Sequence, residues 1–280
     1  MGLRINQNIA AMNAYRNLSV TDGQQAKSLE KLSSGFRINR AADDAAGLAI
    51  SEGLRSQIGG LKVAARNAQD GVSVLQTAEG ALTETHSILQ RMRDLSVQAS
   101  NDGALDDKAR TAMSAEVKAL NEELDRIATS TTFNNVKLLD GSYELKDFQV
   151  GYASADVISV DINSGTAATG FDSTDLATKT ISLADQTGAQ AAITSLDSAI
   201  DKVSAARGSL GALQNRFEHV VNSVNISMEN LSASESRIRD TDMAQEMTSF
   251  TRSQILTQAG TAMLAQANQG PQGVLSLLRG

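Results

Sequence analysis

Residues capable of chemistry are sparse in this chain, and their spacing does not match a catalytic site. The sequence has two histidines, His86 and His219, and no cysteine, so a catalytic metal ion would have to be held by carboxylates alone. It contains neither an HExxH motif nor a glycine-rich phosphate-binding loop. We interpret both histidines as polar residues of helix surfaces or of the contacts between helices. The sequence therefore predicts no enzymatic activity and no cofactor or metal site.

Two adjacent carboxylates, Asp43 and Asp44, are the next candidates, because paired acids can hold a cation. They immediately precede an alanine-rich run that begins at Ala45. An aspartate in that place is typical of a helix N-terminus, where it accepts hydrogen bonds from free backbone N–H groups and complements the helix dipole. We therefore interpret the pair as a helix cap rather than as a metal site.

Two long heptad patterns, towards opposite ends of the chain, indicate the helices that would position any site. Apolar residues recur at every seventh position between residues 54 and 89, and again between 196 and 231. Such a pattern holds one helix against another along its length. We expect the following residues, here called the seam, to join two antiparallel helices: Leu54, Leu61, Leu75, Leu82, Leu89, Leu196, Val203, Leu210, Phe217, Val224 and Leu231.

The predicted fold class is mainly α, a long antiparallel helical coiled-coil bundle with a small β-hairpin region in the middle of the chain. A single proline in 280 residues permits long helices. We expect an N-terminal helix within residues 1–42, a rod domain of long helices over 43–239 and a C-terminal helix within 240–280. A β-hairpin and an exposed Ser/Thr-rich loop are predicted at about 133–188. The segment 270–273, Gly-Pro-Gln-Gly, is expected to break the last helix.

Charge and hydropathy argue against several classes of protein. The chain has 25 basic against 32 acidic residues and a net charge of −7, whereas nucleic-acid binders usually carry a basic face. No apolar run approaches the roughly 20 residues that cross a bilayer. The N-terminal residues also lack the apolar stretch of a cleaved signal peptide. The residues by themselves predict a cytoplasmic protein without membrane insertion.

Segments at both ends of the chain resemble the bacterial flagellin family. The resemblance covers about residues 1–140 and 190–280, and the stretch of about 50 residues between them is too short for an additional outer domain. It therefore implies the short form of the family, without large outer domains. The matching segments are 6–11 (NQNIAA), 32–35 (LSSG), 43–50 (DDAAGLAI), 67–71 (NAQDG), 76–82 (QTAEGAL), 210–216 (LGALQNR), 235–240 (ESRIRD), 254–256 (QIL) and 264–269 (LAQANQ).

The resemblance implies a structural subunit that polymerises into the extracellular helical filament of the bacterial flagellum. It also implies export of the unfolded chain by the flagellar type III system, without a cleaved signal peptide, which replaces the cytoplasmic expectation. The implied partners are further copies of the chain, an export chaperone, the type III export gate, the filament cap and hook-associated proteins. By the resemblance, self-assembly contacts are expected from Ile5, Asn6, Ile9, Met12, Ile255, Met263, Val274, Leu275, Leu277, Leu278 and Arg279.

One further segment resembles the part of flagellins that is contacted by the flagellin-sensing Toll-like receptor. By this resemblance Gln90, Arg91 and Leu95 would contact the receptor in the free monomer, together with Glu116 on the neighbouring helix. An ordinary helix surface that packs against other subunits would carry the same residue types, so both interpretations stay open.

Three other functions are weighed against a filament subunit. A hook–filament junction protein shares the terminal patterns of flagellin, and spontaneous growth of long tubes by the purified chain would distinguish the two. An enzyme built on a helical scaffold would need an extra middle domain with clustered His, Asp or Glu residues. A helical nucleic-acid binder is disfavoured by the negative net charge.

Overall fold

Long helices dominate the fold, and two short hairpins interrupt them. The computed structural model describes residues 7–103, 106–163 and 169–279, with side chains up to residue 269. Within these residues the helices are α1 (Ile9–Ser34), α2 (Ala45–Ala99), α3 (Asp107–Ser130), α4 (Gln186–Arg239) and α5 (Met243–Arg279). The strands are β1 (Thr132–Phe133), β2 (Val136–Lys137), β3 (Lys146–Gln149) and β4 (Val157–Val160). The mainly helical fold class predicted from the heptad patterns is confirmed.

Capping residues set the helix boundaries. Gly35 ends α1 at φ 75°, a left-handed conformation that glycine adopts without strain. Asp44 begins α2, and its Oδ1 accepts a hydrogen bond of 2.9 Å from the Gly47 N–H. Asp43 Oδ2 accepts one of 3.0 Å from the Arg40 N–H, and this hydrogen bond lowers the pKa of the Asp43 carboxyl. Asp44 therefore caps α2, whereas Asp43 accepts from backbone N–H groups of residues that precede it and does not cap the helix.

The chain divides into two compact units. We call Gln57–Glu229 the central unit, and Met1–Ser56 together with Asn230–Gly280 the terminal unit. The limits of the units fall inside α2 and α4, whereas the sequence placed its boundaries after residues 42 and 239, where helical periodicity breaks. The two kinds of boundary differ because a break in periodicity marks where one helix ends and the next begins. A packed core can end in the middle of a helix, as it does here in α2 and α4.

The central unit contains one continuous hydrophobic core, which α2, α3, α4 and the β segments build together. Phe217 of α4 is fully buried in it, and its ring meets Phe148 of β3 edge to face at 5.6 Å between centroids. Gly71 of α2 makes room for this ring, because a Cβ at that position would lie 2.9 Å from two ring atoms. The hairpin therefore packs over the two long helices through a small set of interlocking residues.

The two hairpins differ in how well the sequence predicts them. β3 and β4 pair antiparallel, with Lys146 opposite Val160 and Gln149 opposite Val157, as their alternating pattern indicates. The hairpin of β1 and β2 was not predicted separately, because strands of two residues are too short for a period to appear. Its turn residues, Asn134 and Asn135, have φ of 47° and 65°, a backbone conformation that asparagine tolerates better than most residues.

The segment predicted as an exposed loop, residues 163–188, is instead tied into the core in its described part from residue 169 onwards. Phe171, Leu176 and Leu183 are buried, so the prediction of an exposed loop was wrong for these residues. Aspartates bond to the backbone of this segment: the Asp175 carboxylate, within it, accepts from the Gly170 N–H at 2.6 Å, and the Asp125 carboxylate of α3 accepts from the Ser173 N–H at 2.8 Å. Polar residues here hold an irregular chain in place, which leaves its few apolar side chains free to face inwards.

The last helix continues through the glycines and the proline that were expected to end it. α5 runs from Met243 to Arg279, so the predicted break at 270–273 was wrong. A single proline in a helix interior costs about 3 kcal/mol and removes one backbone donor. This local cost does not end a helix whose hydrogen bonds continue on both sides.

Candidate functional site

The α1–α5 pair in the terminal unit exposes ten large apolar side chains, here together called the α1–α5 surface. Each of these side chains is between 48% and 68% exposed, although the residue types are ones that proteins usually cover. They lie on both helices and along most of their described length. The α1–α5 surface consists of Ile9, Met12, Tyr15, Val20, Leu29, Met243, Met247, Ile255, Leu256 and Met263.

The two units differ sharply in how much apolar surface they bury. Among the described residues, Ile38 is the one buried hydrophobic residue of the terminal unit, whereas the central unit holds the whole of the main core cluster. Burying a large apolar side chain contributes roughly 1.5–3 kcal/mol. The α1–α5 pair therefore leaves uncovered the kind of surface that would stabilise it.

The contact between α1 and α5 is made largely of small and polar groups. The helices run antiparallel, since Asn8 donates to the Ala267 carbonyl at 2.8 Å while Lys31 lies 3.8 Å from Glu246. Gly260 allows close approach, because a Cβ there would lie 3.2 Å from Leu18 Cδ1. An interface of this kind adds little hydrophobic stabilisation, so the apolar residues of the pair remain available to another surface.

The predicted self-assembly residues fall into two groups. Ile9, Met12, Ile255 and Met263 all belong to the α1–α5 surface. Tyr15, Val20, Leu29, Met243, Met247 and Leu256 also belong to it and were not predicted as self-assembly residues. The spacing of Tyr15 from Met12, three residues, would have indicated Tyr15. The remaining predicted residues lie outside the described part of the chain, or have side chains outside it: Ile5, Asn6, Val274, Leu275, Leu277, Leu278 and Arg279.

The seam lies where the heptad pattern places it. Two ion pairs connect its helices, Arg93 Nε to Asp197 Oδ1 at 2.6 Å and Arg207 Nη2 to Glu79 Oε1 at 2.9 Å, and their order along the chain shows that α2 and α4 are antiparallel. The hydrogen bond that Arg93 donates to the Asp197 carboxylate raises the pKa of the Arg93 guanidinium. Leu54 and Leu231, in the terminal unit, are half-buried. The seam residues that are buried in the central unit are Leu61, Leu75, Leu82, Leu89, Leu196, Val203, Leu210, Phe217 and Val224.

The proposed receptor segment is exposed in part. Arg91 donates from Nε and Nη2 to Glu116 Oε1 at 2.8 and 2.7 Å, and both side chains, like that of Gln90, reach the surface. Leu95 is only 3% exposed and belongs to the core of the central unit. Its assignment as a receptor contact is therefore corrected, because a side chain buried between helices of the folded monomer cannot touch a partner.

The two histidines do not form a site in the described part of the chain. His86 Nε2 lies 2.9 Å from the Gln90 side-chain nitrogen, one helical turn away, and His219 is exposed on α4. Among the residues that the structure describes, no cluster of three or more His, Asp or Glu side chains could hold a metal ion. In the same residues, no helix is both long and apolar enough to cross a membrane.

These features define a class of long-helix protein in which one unit has a complete core and the other exposes an apolar pair of helices. Two protein families match the chain and identify this class more closely. The bacterial flagellin N-terminal helical region matches residues 5–144, and the bacterial flagellin C-terminal helical region matches residues 193–278. The chain belongs to the bacterial flagellin family.

Relatives over the whole length agree with this assignment. The chain is 51% identical to a flagellin of Halalkalibacterium halodurans, over 98% of this chain and 99% of the relative. It is 50% identical to a flagellin of Bacillus subtilis, over 99% of this chain and 100% of the relative. A flagellar filament 33 kDa core protein of Treponema phagedenis is 47% identical over 98% of this chain and 99% of the relative.

Solved structures give the same fold. The crystal structure of Bacillus cereus flagellin matches with a TM-score of 0.50 and 33% identity, and covers 61% of this chain and 94% of that chain. A putative flagellar hook-associated protein from Vibrio parahaemolyticus matches with a TM-score of 0.58, over 71% of this chain and 100% of that chain. Its identity is 15%, so that likeness concerns the fold alone.

Proposed function

We propose that this chain is a structural subunit that polymerises into the extracellular filament of a bacterial flagellum. The observation that carries the proposal is the contrast between the two units: one has a complete core, while the other exposes the α1–α5 surface. Further copies of the chain would cover that surface. Contacts between unlike patches need not close into a ring, so they propagate into a fibre.

Family membership supports the filament role over an enzymatic one. The relatives of about 50% identity are named flagellins and match the chain along its whole length. A hook–filament junction protein is the second candidate, and the fold likeness to a putative hook-associated protein does not decide between the two at 15% identity. The behaviour of the purified chain separates them, because a junction protein need not extend a polymer of its own.

The assembly test uses the purified full-length chain, seeded with sheared filaments or brought to assembly by a precipitating salt. Negative-stain microscopy should show long tubes that lengthen with time and consume the free chain. Short caps, small rings or amorphous aggregate in place of tubes would contradict the filament role. A seeded and an unseeded sample of equal concentration provide the control for spontaneous precipitation.

Export and partners follow from the same proposal. The chain would leave the cell unfolded through the flagellar type III export gate, accompanied by an export chaperone, and would join the filament beneath its cap, beyond the hook-associated proteins. The absence of cysteine fits this route, because a chain without thiols cannot form cross-links while it is unfolded.

We also propose that a Toll-like receptor of the host binds the free subunit through Gln90, Arg91 and Glu116. The contacts between Arg91 and Glu116 fix the guanidinium on the surface of α2, where it presents remaining N–H donors to a partner.

Replacing this guanidinium should weaken receptor activation markedly. Arg91→Ala should raise the concentration of monomer needed for a half-maximal reporter-cell response by about tenfold, the cost of one charge-assisted hydrogen bond. Arg126→Ala is the matched control, because Arg126 forms a similarly exposed pair with Glu123, within α3. Equal dose–response curves for Arg91→Ala and Arg126→Ala would remove Arg91 from the contact.

A further inference from the structure

Two linkers in the terminal unit join the helices that expose apolar residues to the ends of the long helices. The first linker, residues 35–44, connects α1 to α2, and the second, residues 240–242, connects α4 to α5. We propose, as an extension that rests on the assembly function above, that Arg239 is a positioning residue that locks the two linkers together. It thereby fixes the direction in which α1 and α5 leave the ends of α2 and α4.

The backbones of the linkers meet in a very short antiparallel bridge between Phe36 and Asp240. The Arg37 N–H donates to the Arg239 carbonyl at 2.6 Å, and the Thr241 N–H donates to the Gly35 carbonyl at 3.0 Å. Two hydrogen bonds near solvent hold a chain weakly, because water competes for each of them. The bridge therefore depends on side chains for its support.

The Arg239 side chain supplies that support from one guanidinium. Its central carbon lies 4.8 Å from the centroid of the Phe36 ring, and its Nη1 donates to Glu52 Oε1 at 2.7 Å. The side chain is well covered, at 14% exposure. It thus contacts the first linker and α2, while its own backbone carbonyl belongs to the bridge. A planar guanidinium stacks on a ring and donates at its edge simultaneously, which the ammonium of lysine does not do.

A second arginine reaches across in the opposite direction. Arg37 Nη2 donates to the Ile238 carbonyl at 2.7 Å, at the last turn of α4. Backbone carbonyls in the last turn of a helix lack an intrahelical partner and attract cations, so this contact also stabilises the bridge between the two linkers. The two linkers are therefore connected through both backbone and side-chain contacts.

This cluster is important because the described residues of the terminal unit form no hydrophobic core elsewhere. Ile38, the buried hydrophobic residue of the unit, lies in the first linker, and a Cβ on Gly47 would come 2.8 Å from its Cδ1. α1 and α5 carry no comparable packing, since Ser28 and Ser253 are their buried residues among those described. The direction of the two helices is consequently set where the linkers are joined.

The test compares filaments of Arg239→Lys with those of the wild-type full-length chain. The substitution keeps the charge and removes the stacking plane. We expect the critical concentration for polymerisation to rise roughly three- to tenfold, and the helical twist per subunit, measured by cryo-electron microscopy, to differ from wild type. Arg237→Lys is the matched control, because Arg237 Nη2 donates to Ser234 Oγ within α4 and does not bridge the linkers; both quantities should stay at wild-type values.

The outcomes separate a positioning role from a merely stabilising one. A higher critical concentration with unchanged twist would overturn the proposal, as would wild-type values for both quantities. If Arg239→Lys does not polymerise, the same measurements are made on Phe36→Leu, which removes only the aromatic ring that Arg239 contacts. A changed helical twist in Phe36→Leu filaments supports the proposal, and an unchanged twist overturns it. Failure of the wild-type chain to polymerise would instead overturn the assembly function itself.

Discussion

Phe217→Ala should lower the free energy of unfolding of the central unit by about 3–5 kcal/mol. Phe217 is fully buried, packs edge to face on Phe148 and occupies the space that Gly71 leaves open. Truncation removes the transfer free energy of the ring and leaves a cavity that three separate elements border. Urea or guanidinium unfolding of the full-length chain, followed by circular dichroism, measures the change.

The control for this substitution lies on the same helix. Ile226 of α4 is 60% exposed, and Ile226→Ala should change the free energy of unfolding by less than about 0.5 kcal/mol. If both variants unfolded at the same denaturant concentration, the seam would not be the main source of stability in the central unit. A loss for Phe217→Ala below about 1 kcal/mol would also mean that the site collapses around the missing ring.

The double substitution Ile255→Lys with Met263→Lys should abolish polymerisation at concentrations where the wild-type chain forms filaments. Both side chains belong to the α1–α5 surface, at 60% and 65% exposure. Two ammonium groups in a surface that copies cover would each lose hydration without a partner, at a cost of several kcal/mol per group. The measurement is the fraction of chain that sediments after seeding.

A conservative pair of changes tests whether apolar character is the cause. Ile255→Leu with Met263→Leu keeps the volume and the apolar nature of both sites, and it should polymerise as the wild type does. The unfolding transition of the central unit should be the same in all of these chains, because the changes lie outside it. Filaments of normal yield from the lysine variant would show that the α1–α5 surface is not covered during assembly.

The sequence predicts the long helices well because their periodicity extends over many turns. Residues 54–89 and 196–231 repeat an apolar position every seventh residue, and a pattern of that length identifies helices and their buried face. Two such stripes cannot both remain exposed, so the helices are expected to pair, and the ion pairs Arg93–Asp197 and Arg207–Glu79 show that they do so antiparallel. The ends of the seam are less well predicted, since Leu54 and Leu231 continue the pattern but are only half-buried.

The segment around Phe171 shows where this kind of prediction fails. Its apolar residues follow no period, so nothing distinguishes it from an exposed loop until the hydrogen bonds of Asp125 and Asp175 are known. Those contacts connect residues distant in sequence, which composition does not reveal. Leu95 is a different failure: it lies three residues after buried Met92, a spacing that indicates the inner face of α2.

The sequence predicts which residues belong to the candidate site better than it predicts the contacts between them. Ile9, Met12, Ile255 and Met263 were identified by resemblance, and the structure places all four on the α1–α5 surface. The contacts of Arg239 with Phe36 and Glu52 were not predicted, because they join residues about 190–200 positions apart, and no periodic pattern links them.

Four of the ten side chains of the α1–α5 surface carry thioether sulfur. Met12, Met243, Met247 and Met263 are exposed there, whereas Met92 and Met113 are enclosed in the central unit. Peroxide or hypochlorous acid would therefore reach the first group and convert each thioether into a polar sulfoxide, while sparing the second. A subunit oxidised before it joins the polymer would keep its central fold and lose its affinity for its neighbours, so oxidants should arrest growth at concentrations that leave the folded chain intact.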